Sequence, residues 1–148
     1  MKLRIAWIGK TKEPAITALT AEYMQRLGRY VDSESQESPS EEALLKSLEK
    51  LGGRTRPVLV ILDQRGRQFT SEEFSQFLND QQDRGTQQLV FAVGPADGFT
   101  AAARHAADLT LAFGKMTLAH ELARVVLLEQ LYRAFTILKG HPYHTGHS

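Results

Sequence analysis

The sequence predicts an α/β fold in which helices cover both faces of a largely parallel sheet. Three apolar runs have the length and composition of buried strands: residues 57–62 and 89–93, which are continuous, and residues 3–8, which Arg4 interrupts. Helical patterns lie between these runs, and strands that alternate with helices form parallel sheets. A chain of 148 residues without repeats or linkers fits one core, so we expect a single domain over residues 1–148.

Two helical patterns occupy the first half of the chain, each opened by a residue suited to a helix start. Pro14 opens the first, which ends at Leu27, because proline fits the first helical turn. Ser40 caps the second, which extends to Leu51 and is stopped by two glycines. Between these helices the chain is polar and acidic, and residues 30–31 predict only a weak second strand.

Strands and helices continue to alternate in the second half. The buried run at residues 57–62 ends at Asp63 and a polar turn at residues 64–68, which predicts that the strand stops there. The remaining predicted elements are a helix from residue 71 to about residue 85, a strand at 89–93, a helix at 101–107 and a short strand at 108–114. Thr100 is the expected cap of the helix at 101–107.

The last quarter of the chain reads mostly as one long helix. Thr117 is expected to cap its first turn, and Gly140 followed by Pro142 to end it. Apolar residues recur mostly at steps of three and four, the spacing of a buried stripe: Leu118, Leu122, Val125, Val126, Leu131, Tyr132 and Phe135. Because the helix has more apolar residues than one stripe requires, we expect a second chain to cover the remainder.

Charged residues occupy the other faces of this helix. They are His120, Glu121, Arg124, Glu129 and Arg133. Glu129 precedes Arg133 by four residues, the favourable order for a helical ion pair. On an isolated helix such a pair would be a solvated surface feature. Here it shares one short segment with Tyr143 and His144 of the tail, so the segment is a candidate for chemistry.

The turn at residues 94–98, Gly-Pro-Ala-Asp-Gly, directly follows a buried strand. In open α/β sheets ligands bind at the carboxyl ends of strands, where glycine lets the backbone approach closely. The turn lacks the Gly-x-Gly-x-x-Gly motif of dinucleotide sites and the Gly-Lys-Ser/Thr ending of a phosphate loop. A structural turn in which Asp97 caps the next helix is the alternative.

Composition excludes several kinds of site. Without cysteine there is no disulfide, thiolate zinc site or cysteine nucleophile. Four of the five histidines fall in residues 120–147, but no His-Glu-x-x-His pair exists, so we expect no metal. No strand leads into the Gly-x-Ser-x-Gly elbow of a serine hydrolase.

Charge and hydropathy limit the partners. The net charge of +1 and the isoelectric point of about 8.1 leave nucleic acid open as a partner without indicating it. No apolar run has the length of a signal peptide or a membrane span. We therefore expect a cytoplasmic protein that does not enter a membrane.

Three segments resemble a known family: residues 115–120 (KMTLAH), 124–134 (RVVLLEQLYRA) and 140–144 (GHPYH). Through them, and over nearly its whole length, the chain resembles the small bacterial ribosomal RNA methyltransferases of the SPOUT superfamily. These enzymes methylate N3 of a pseudouridine in large-subunit (23S) ribosomal RNA. The resemblance implies an α/β sheet whose C-terminal segment is threaded into a trefoil knot. It also implies a homodimer that packs its knotted helices together and acts on the assembled ribosome.

The resemblance further implies S-adenosyl-L-methionine as cofactor, held by three backbone turns. The residues assigned to it are Leu62, Gly94, Phe113, Gly114, Lys115, Met116, Thr117 and Leu118. His120 and Arg124 are the expected substrate-binding residues. The sulfonium already carries a good leaving group, so the enzyme mainly has to align donor and nucleophile.

Four residues form the expected catalytic set: Glu129, Arg133, Tyr143 and His144. The imide N3–H must lose its proton, which requires a base or a group that stabilises the imidate. We expect Arg133 to orient RNA or stabilise that charge, with Glu129 holding it in place. An aromatic ring and an imidazole, Tyr143 and His144, suit the stacking of a base and the handling of a proton near pH 7.

The chain departs from the family's pattern at Pro95, where many relatives have glycine, and at Ala119, where relatives often have proline. Two other functions remain open at this point. One is a non-catalytic ribosome-associated binding protein with the same fold. The other is a different α/β nucleotide-binding enzyme, which the absence of a phosphate-loop motif disfavours.

Overall fold

The computed structural model describes residues 1–51 and 54–145, which contain a five-stranded sheet. The strands are β1 (Lys2–Ile8), β2 (Asp32–Ser38), β3 (Val58–Gln68), β4 (Gln88–Val93) and β5 (Leu109–Ala112). They lie in the order β2-β1-β4-β3-β5, and every neighbouring pair is parallel. The prediction of an α/β fold with a parallel sheet is confirmed, whereas the trefoil knot stays a prediction.

Helices cover both faces of the sheet. They are α1 (Pro14–Leu27), α2 (Glu41–Glu49), α3 (Ser71–Asp83), α4 (Ala101–Ala106) and α5 (His120–Leu138). On one face α5 packs between α1 and α3, while α2 and α4 cover the other. Successive strand residues point to opposite faces, so Ile5 and Phe91 join the core under α5, and Ala6 and Ala92 join the second core. Both faces of the central strands are therefore buried, which explains their continuous apolar runs.

The second strand lies in the acidic polar stretch rather than at residues 30–31, so that prediction is wrong. Strand β2 pairs with β1 in register from Lys2↔Asp32 to Ile8↔Ser38. Its position at the edge of the sheet leaves most of its side chains exposed, and Lys2 Nζ lies 2.8 Å from Glu34 Oε2. Backbone pairing with β1 defines this strand, and an exposed edge strand shows no apolar run.

Strand β3 continues through the polar residues that the sequence predicts as a turn. Leu111 of β5 lies opposite Leu62 and again opposite Arg67, so residues 63–66 are looped out between two stretches of pairing. At Gly66 the loop touches β5 so closely that a Cβ atom would lie 2.6 Å from the carbonyl oxygen of Thr110. The predicted end of this strand is wrong because pairing resumes on the same neighbour.

Helix α5 begins later than its sequence predicts. Ala119 occupies the N-cap position and no side chain caps the first turn, so the predicted cap by Thr117 is wrong. Residues 115–119 form an exposed loop instead. The predicted end is confirmed: the helix stops at Leu138, and Gly140 has a φ of +70°.

The buried face of α5 differs from the predicted stripe. The residues it buries are Glu121, Arg124, Leu127, Leu128, Leu131, Ala134, Phe135 and Thr136. Leu122 is 52 % exposed, and Leu118, before the helix, is 46 % exposed. Leu131 and Phe135 are thus confirmed in the core, whereas the expected outward position of Glu121 and Arg124 is wrong.

Two further predictions concern the ends of α2 and the start of α4. Ser40 caps α2 by accepting from the N–H of Ala43 at 3.1 Å, as expected, but the helix ends at Glu49. The glycines expected to stop it lie outside the described residues. Thr100 is the N-cap residue of α4, yet its side chain does not cap the helix and donates to Glu41 instead.

Candidate functional site

A cleft of about 330 Å³ opens at the carboxyl ends of β3, β4 and β5. Three loops line it: residues 62–65 of the looped-out part of β3, residues 93–98 after β4, and residues 111–118 around the end of β5. His120 and Ala123 of α5 complete the wall. Such a position, outside the carboxyl ends of parallel strands, is where α/β sheets bind ligands.

Most of the predicted cofactor residues line the cleft. Those that line it are Leu62, Gly94, Phe113, Gly114, Met116, Thr117 and Leu118. Lys115 is exposed and lies outside the lining, and so does the predicted substrate residue Arg124, whereas His120 is part of it. Three separate segments of the sequence thus meet in one place. Their assignment to the cofactor stays a prediction.

Glycines shape the turn after β4. A Cβ atom at Gly94 would lie 3.1 Å from the ring of Phe99, a tight contact that would require the ring to shift slightly. Gly98 has a φ of +80°, and its N–H donates to the carbonyl oxygen of Pro95 at 2.8 Å. Pro95 therefore closes the turn through its carbonyl group, which the missing N–H does not affect.

Asp63 is a cleft residue that the sequence analysis did not single out. Arg65 donates to it from the backbone N–H at 2.8 Å and from the guanidinium at 2.9 Å. The hydrogen bond from the Arg65 side chain lowers the pKa of Asp63, which is therefore ionised at neutral pH. In the sequence, the position of Asp63 directly after a buried apolar run was the signal that could have identified it as a cleft residue.

Arg124 lies beneath the surface, next to the cleft wall. It is 2 % exposed, its guanidinium lies 3.9 Å from the centre of the Trp7 ring, and it donates to Thr11 Oγ1 at 2.7 Å. Burial lowers the pKa of this guanidinium. The neighbouring Glu121 accepts from the backbone N–H groups of residues 12–13, each at 3.2 Å. Both side chains tie the start of α5 to the loop after β1, and a role of Arg124 in substrate binding stays a prediction.

The four predicted catalytic residues meet at the far end of α5. Arg133 Nε donates to Glu129 Oε1 at 2.7 Å, which confirms the predicted ion pair. Arg133 Nη1 lies 2.9 Å from His144 Nδ1, and His144 Nε2 lies 2.6 Å from Oε1 of Glu72 on α3. The Arg133 guanidinium also lies 5.1 Å from the centre of the Tyr143 ring. We call Glu72, Glu129, Arg133, Tyr143 and His144 the tail cluster.

Tyr143 is held in the tail cluster by neighbouring rings. Its ring packs edge-on against Tyr132 with the centres 4.8 Å apart. Burial, together with a hydrogen bond to Tyr23, raises the pKa of Tyr143 to about 12. The phenol is therefore protonated at neutral pH, which makes it a hydrogen-bond donor and excludes it as the base.

The cleft and the tail cluster lie at opposite ends of α5. His120 lines the cleft and Arg133 belongs to the tail cluster, and at the rise of an α-helix they are roughly 20 Å apart. This distance exceeds the reach of any side chain. One chain therefore does not bring its own tail cluster to its own cleft.

One outward face of α5 connects the two ends. Leu122, Val126, Glu129 and Arg133 follow one another at steps of four, three and four, so they share a face. Near the cleft this face is apolar and open, because Leu122 is exposed and Met116, in the loop before the helix, is 86 % exposed. The expected excess of apolar residues over one buried stripe is present.

Within residues 1–51 and 54–145, no group of three or more His, Asp or Glu side chains is arranged to hold a metal ion. Across the same residues, every helix is too short or too polar to cross a membrane. His147 lies outside the described residues.

Comparisons with known proteins agree on one family. The family model described as "Predicted SPOUT methyltransferase" matches residues 1–144. A protein of Koribacter versatilis named "Ribosomal RNA large subunit methyltransferase H" is 60 % identical over 147 residues, which cover 99 % of this chain and 100 % of that protein. A protein of Geotalea daltonii with the same name is 41 % identical over 152 residues, covering 97 % and 99 % of the two chains.

Solved structures show the same fold at low sequence identity. A probable methylase family protein from Haemophilus influenzae matches 95 % of this chain and 69 % of its own, with a TM-score of 0.62 and 13 % identity. The methyltransferase AviRb from Streptomyces viridochromogenes, solved in complex with AdoMet, has a TM-score of 0.55 and 16 % identity. That match covers 88 % of this chain, which spans 56 % of the AviRb chain. The chain belongs to the SPOUT methyltransferase family.

Proposed function

We propose that this chain methylates large-subunit ribosomal RNA, with S-adenosylmethionine as methyl donor and N3 of a pseudouridine as acceptor. The observation that carries the proposal is the 60 % identity, over the full length of the relative, to a ribosomal RNA large subunit methyltransferase. The acceptor atom and the action on assembled ribosomes in the cytoplasm follow from the family resemblance of the C-terminal segments.

The cleft at the carboxyl ends of β3 to β5 fits the cofactor. Its volume of about 330 Å³ lies in the range of small-molecule sites, and apolar residues such as Leu62 and Leu118 suit an adenine ring. When bound, the sulfonium supplies the methyl group and a good leaving group, so the protein has to orient the acceptor.

The tail cluster provides the groups that N3 methylation requires. Arg133 is a fixed cation: Glu129 holds it from one side, and their hydrogen bond raises the pKa of Arg133. Such a cation stabilises the negative charge that develops on the imide oxygens as N3 loses its proton. Tyr143 stays protonated and offers a ring for stacking, and His144 carries the imidazole that takes the proton.

A homodimer places these groups at the cofactor, with the tail cluster of one chain at the cleft of the other. The outward face of α5 carries open apolar residues near its start and Glu129 and Arg133 further on. If two copies of α5 pair antiparallel through this face, the start of each helix lies beside the end of the other. Two-fold symmetry then forms two equal composite sites from a single interface.

Methyl transfer to purified ribosomes tests the activity. Labelled S-adenosylmethionine should transfer its methyl group to 23S RNA in whole ribosomes lacking the modification, with separated subunits and naked RNA as controls. Binding of S-adenosylmethionine measured by calorimetry, without transfer to any of these substrates, would favour a binding protein over an enzyme.

Mixing two inactive variants tests the composite site. Ala96 is an exposed residue that lines the cleft, so Ala96→Trp should block the cleft of its own chain. Arg133→Ala removes the cation from the tail cluster. After dissociation and reassociation, half of the dimers are mixed and each has one intact site, so about a quarter of wild-type activity should return. A mixture as inactive as its two components would contradict a shared site.

A further inference from the structure

Glu72 and His144 come from distant parts of the sequence and meet at the edge of the tail cluster. Glu72 is the second residue of α3, and its Oε1 atom lies 2.6 Å from Nε2 of His144. The other ring nitrogen, Nδ1, lies 2.9 Å from Nη1 of Arg133. A guanidinium only donates hydrogen bonds, so Nδ1 must accept one. The ring proton is therefore on Nε2, and it is donated to Glu72.

We infer that Glu72 is a positioning residue of the methyltransferase site: its carboxylate fixes the His144 tautomer in which Nδ1 carries the lone pair for proton transfer. The inference rests on the proposed function. It assigns to Glu72, whose side chain is largely exposed, the role that the carboxylate has in a carboxylate–histidine pair, which is to hold one ring N–H so that the other nitrogen is the base.

The His144 ring has to lose its hydrogen bond from Arg133 during the reaction. In the free protein Arg133 occupies the lone pair of Nδ1. When Arg133, still held by Glu129 through Nε, moves its Nη1 hydrogen bond from Nδ1 to an imide oxygen of the acceptor base, Nδ1 becomes available to the neighbouring N3–H. The N3–H proton then moves to Nδ1, the N3–C bond forms, and the C–S bond breaks with its electron pair returning to sulfur. The resulting imidazolium faces the Glu72 carboxylate until it releases the proton to water.

The surroundings of His144 support this assignment. Glu72 of α3 and Arg133 of α5 contact His144 directly, while Glu129 and Tyr143 contact Arg133. The Glu72 carboxylate accepts hydrogen bonds from its own backbone N–H and from His144, and these, the first most strongly, lower the pKa of Glu72, which is therefore an acceptor at neutral pH. Within residues 1–51 and 54–145, Glu72 is the side chain that hydrogen-bonds to Nε2.

Nitrogen NMR of the His144 ring and methylation kinetics test the inference on three variants. Glu72→Gln keeps an acceptor oxygen, and Glu72→Ala removes it. Asp80→Ala is the control, because Asp80 is a half-buried residue of the same helix whose carboxylate accepts from Gln76 and not from His144. Substitution of His144 by Gln in a reference sample assigns the ring signals.

The wild-type ring should show the proton on Nε2, with an N–H signal protected from exchange. Glu72→Gln should keep this signal and methylate within about twofold of wild type. Glu72→Ala should lose the signal and lower kcat about fivefold without changing KM, the scale expected for one solvent-exposed charge-assisted hydrogen bond. Asp80→Ala should match the wild type in both measurements.

Several results would overturn the inference. A wild-type ring protonated on Nδ1 would contradict the tautomer, and an unchanged kcat in Glu72→Ala would remove the role in the reaction. An effect on KM alone would reduce Glu72 to a docking contact, and equal damage in Glu72→Gln would replace a hydrogen-bond role with a charge effect. The ring signals are measured without substrate, so the tautomer is tested separately from the activity. If the protein methylates no substrate, the proposed function is wrong even when the His144 ring is protonated on Nε2.

Discussion

Gly66→Ala should damage both the fold and the cleft. A Cβ atom at this position would lie 2.6 Å from the carbonyl oxygen of Thr110 and 2.8 Å from the carbonyl carbon of Leu111. Both atoms belong to the backbone of β5, so they cannot turn aside as a flexible side chain would. The looped-out residues 63–66 must therefore move away from the sheet.

The size of the effect follows from these contacts. Overpacking against fixed atoms costs about 1–3 kcal/mol, so the free energy of unfolding should fall by that amount. The same loop contributes Asp63, Gln64 and Arg65 to the cleft. If its displacement costs about 1.4 kcal/mol of binding free energy, the affinity for S-adenosylmethionine falls about tenfold. Urea unfolding and calorimetric titration measure the two effects.

Gly28→Ala is the matched control. Gly28 follows α1 with a φ of −58°, and the nearest atom to an added Cβ would be 3.4 Å away. Alanine adopts this conformation without strain, so the free energy of unfolding should change by less than about 0.5 kcal/mol. Equal stability and equal cofactor affinity in the two variants would refute the close contact of the loop with β5.

Three further changes follow from other parts of the structure. Leu122→Asp should dissociate the proposed dimer, with sedimentation near 16.6 kDa instead of twice that mass, while Leu19→Asp, at an exposed leucine of α1, should leave it intact. The pKa of Tyr143, about 12, exceeds the ordinary value of about 10, so its contribution to stability is complete below pH 10 and lost toward pH 12. The unfolding free energy of the wild type should therefore fall more steeply over that range than that of Tyr143→Phe. Glu129→Ala should cost only about 0.5 kcal/mol of stability in urea unfolding, yet lower methyl transfer at least tenfold because it frees Arg133; a proportionate loss of both would contradict this role.

Local patterns in the sequence predict most of the framework. The apolar runs of β1, β3 and β4 are visible because both faces of these strands are buried, and burial on both faces leaves no alternation. Helix starts at Pro14 and Ser40 follow from residue chemistry within one turn. The ion pair of Glu129 with Arg133 follows in the same way from a spacing of four.

Local sequence patterns did not predict the features that depend on residues far away in the sequence. Strand β2 exists because β1 pairs with it, and its own residues carry no strand signal. Glu121 and Arg124 are charged residues on a helix, a pattern that predicts exposure. They are buried because the loop after β1, more than a hundred residues earlier, supplies their hydrogen-bond partners.

By itself the sequence determined the alternation of strands and helices, the family, and the segments that carry its motifs. These properties depend on residues that are close together along the chain. Only the tertiary structure decided that the cleft and the tail cluster lie at opposite ends of α5, and that Glu72 meets His144 across 72 positions. The reason is physical: which distant side chains meet is set by strand order and helix packing, and local spacing carries no information about either.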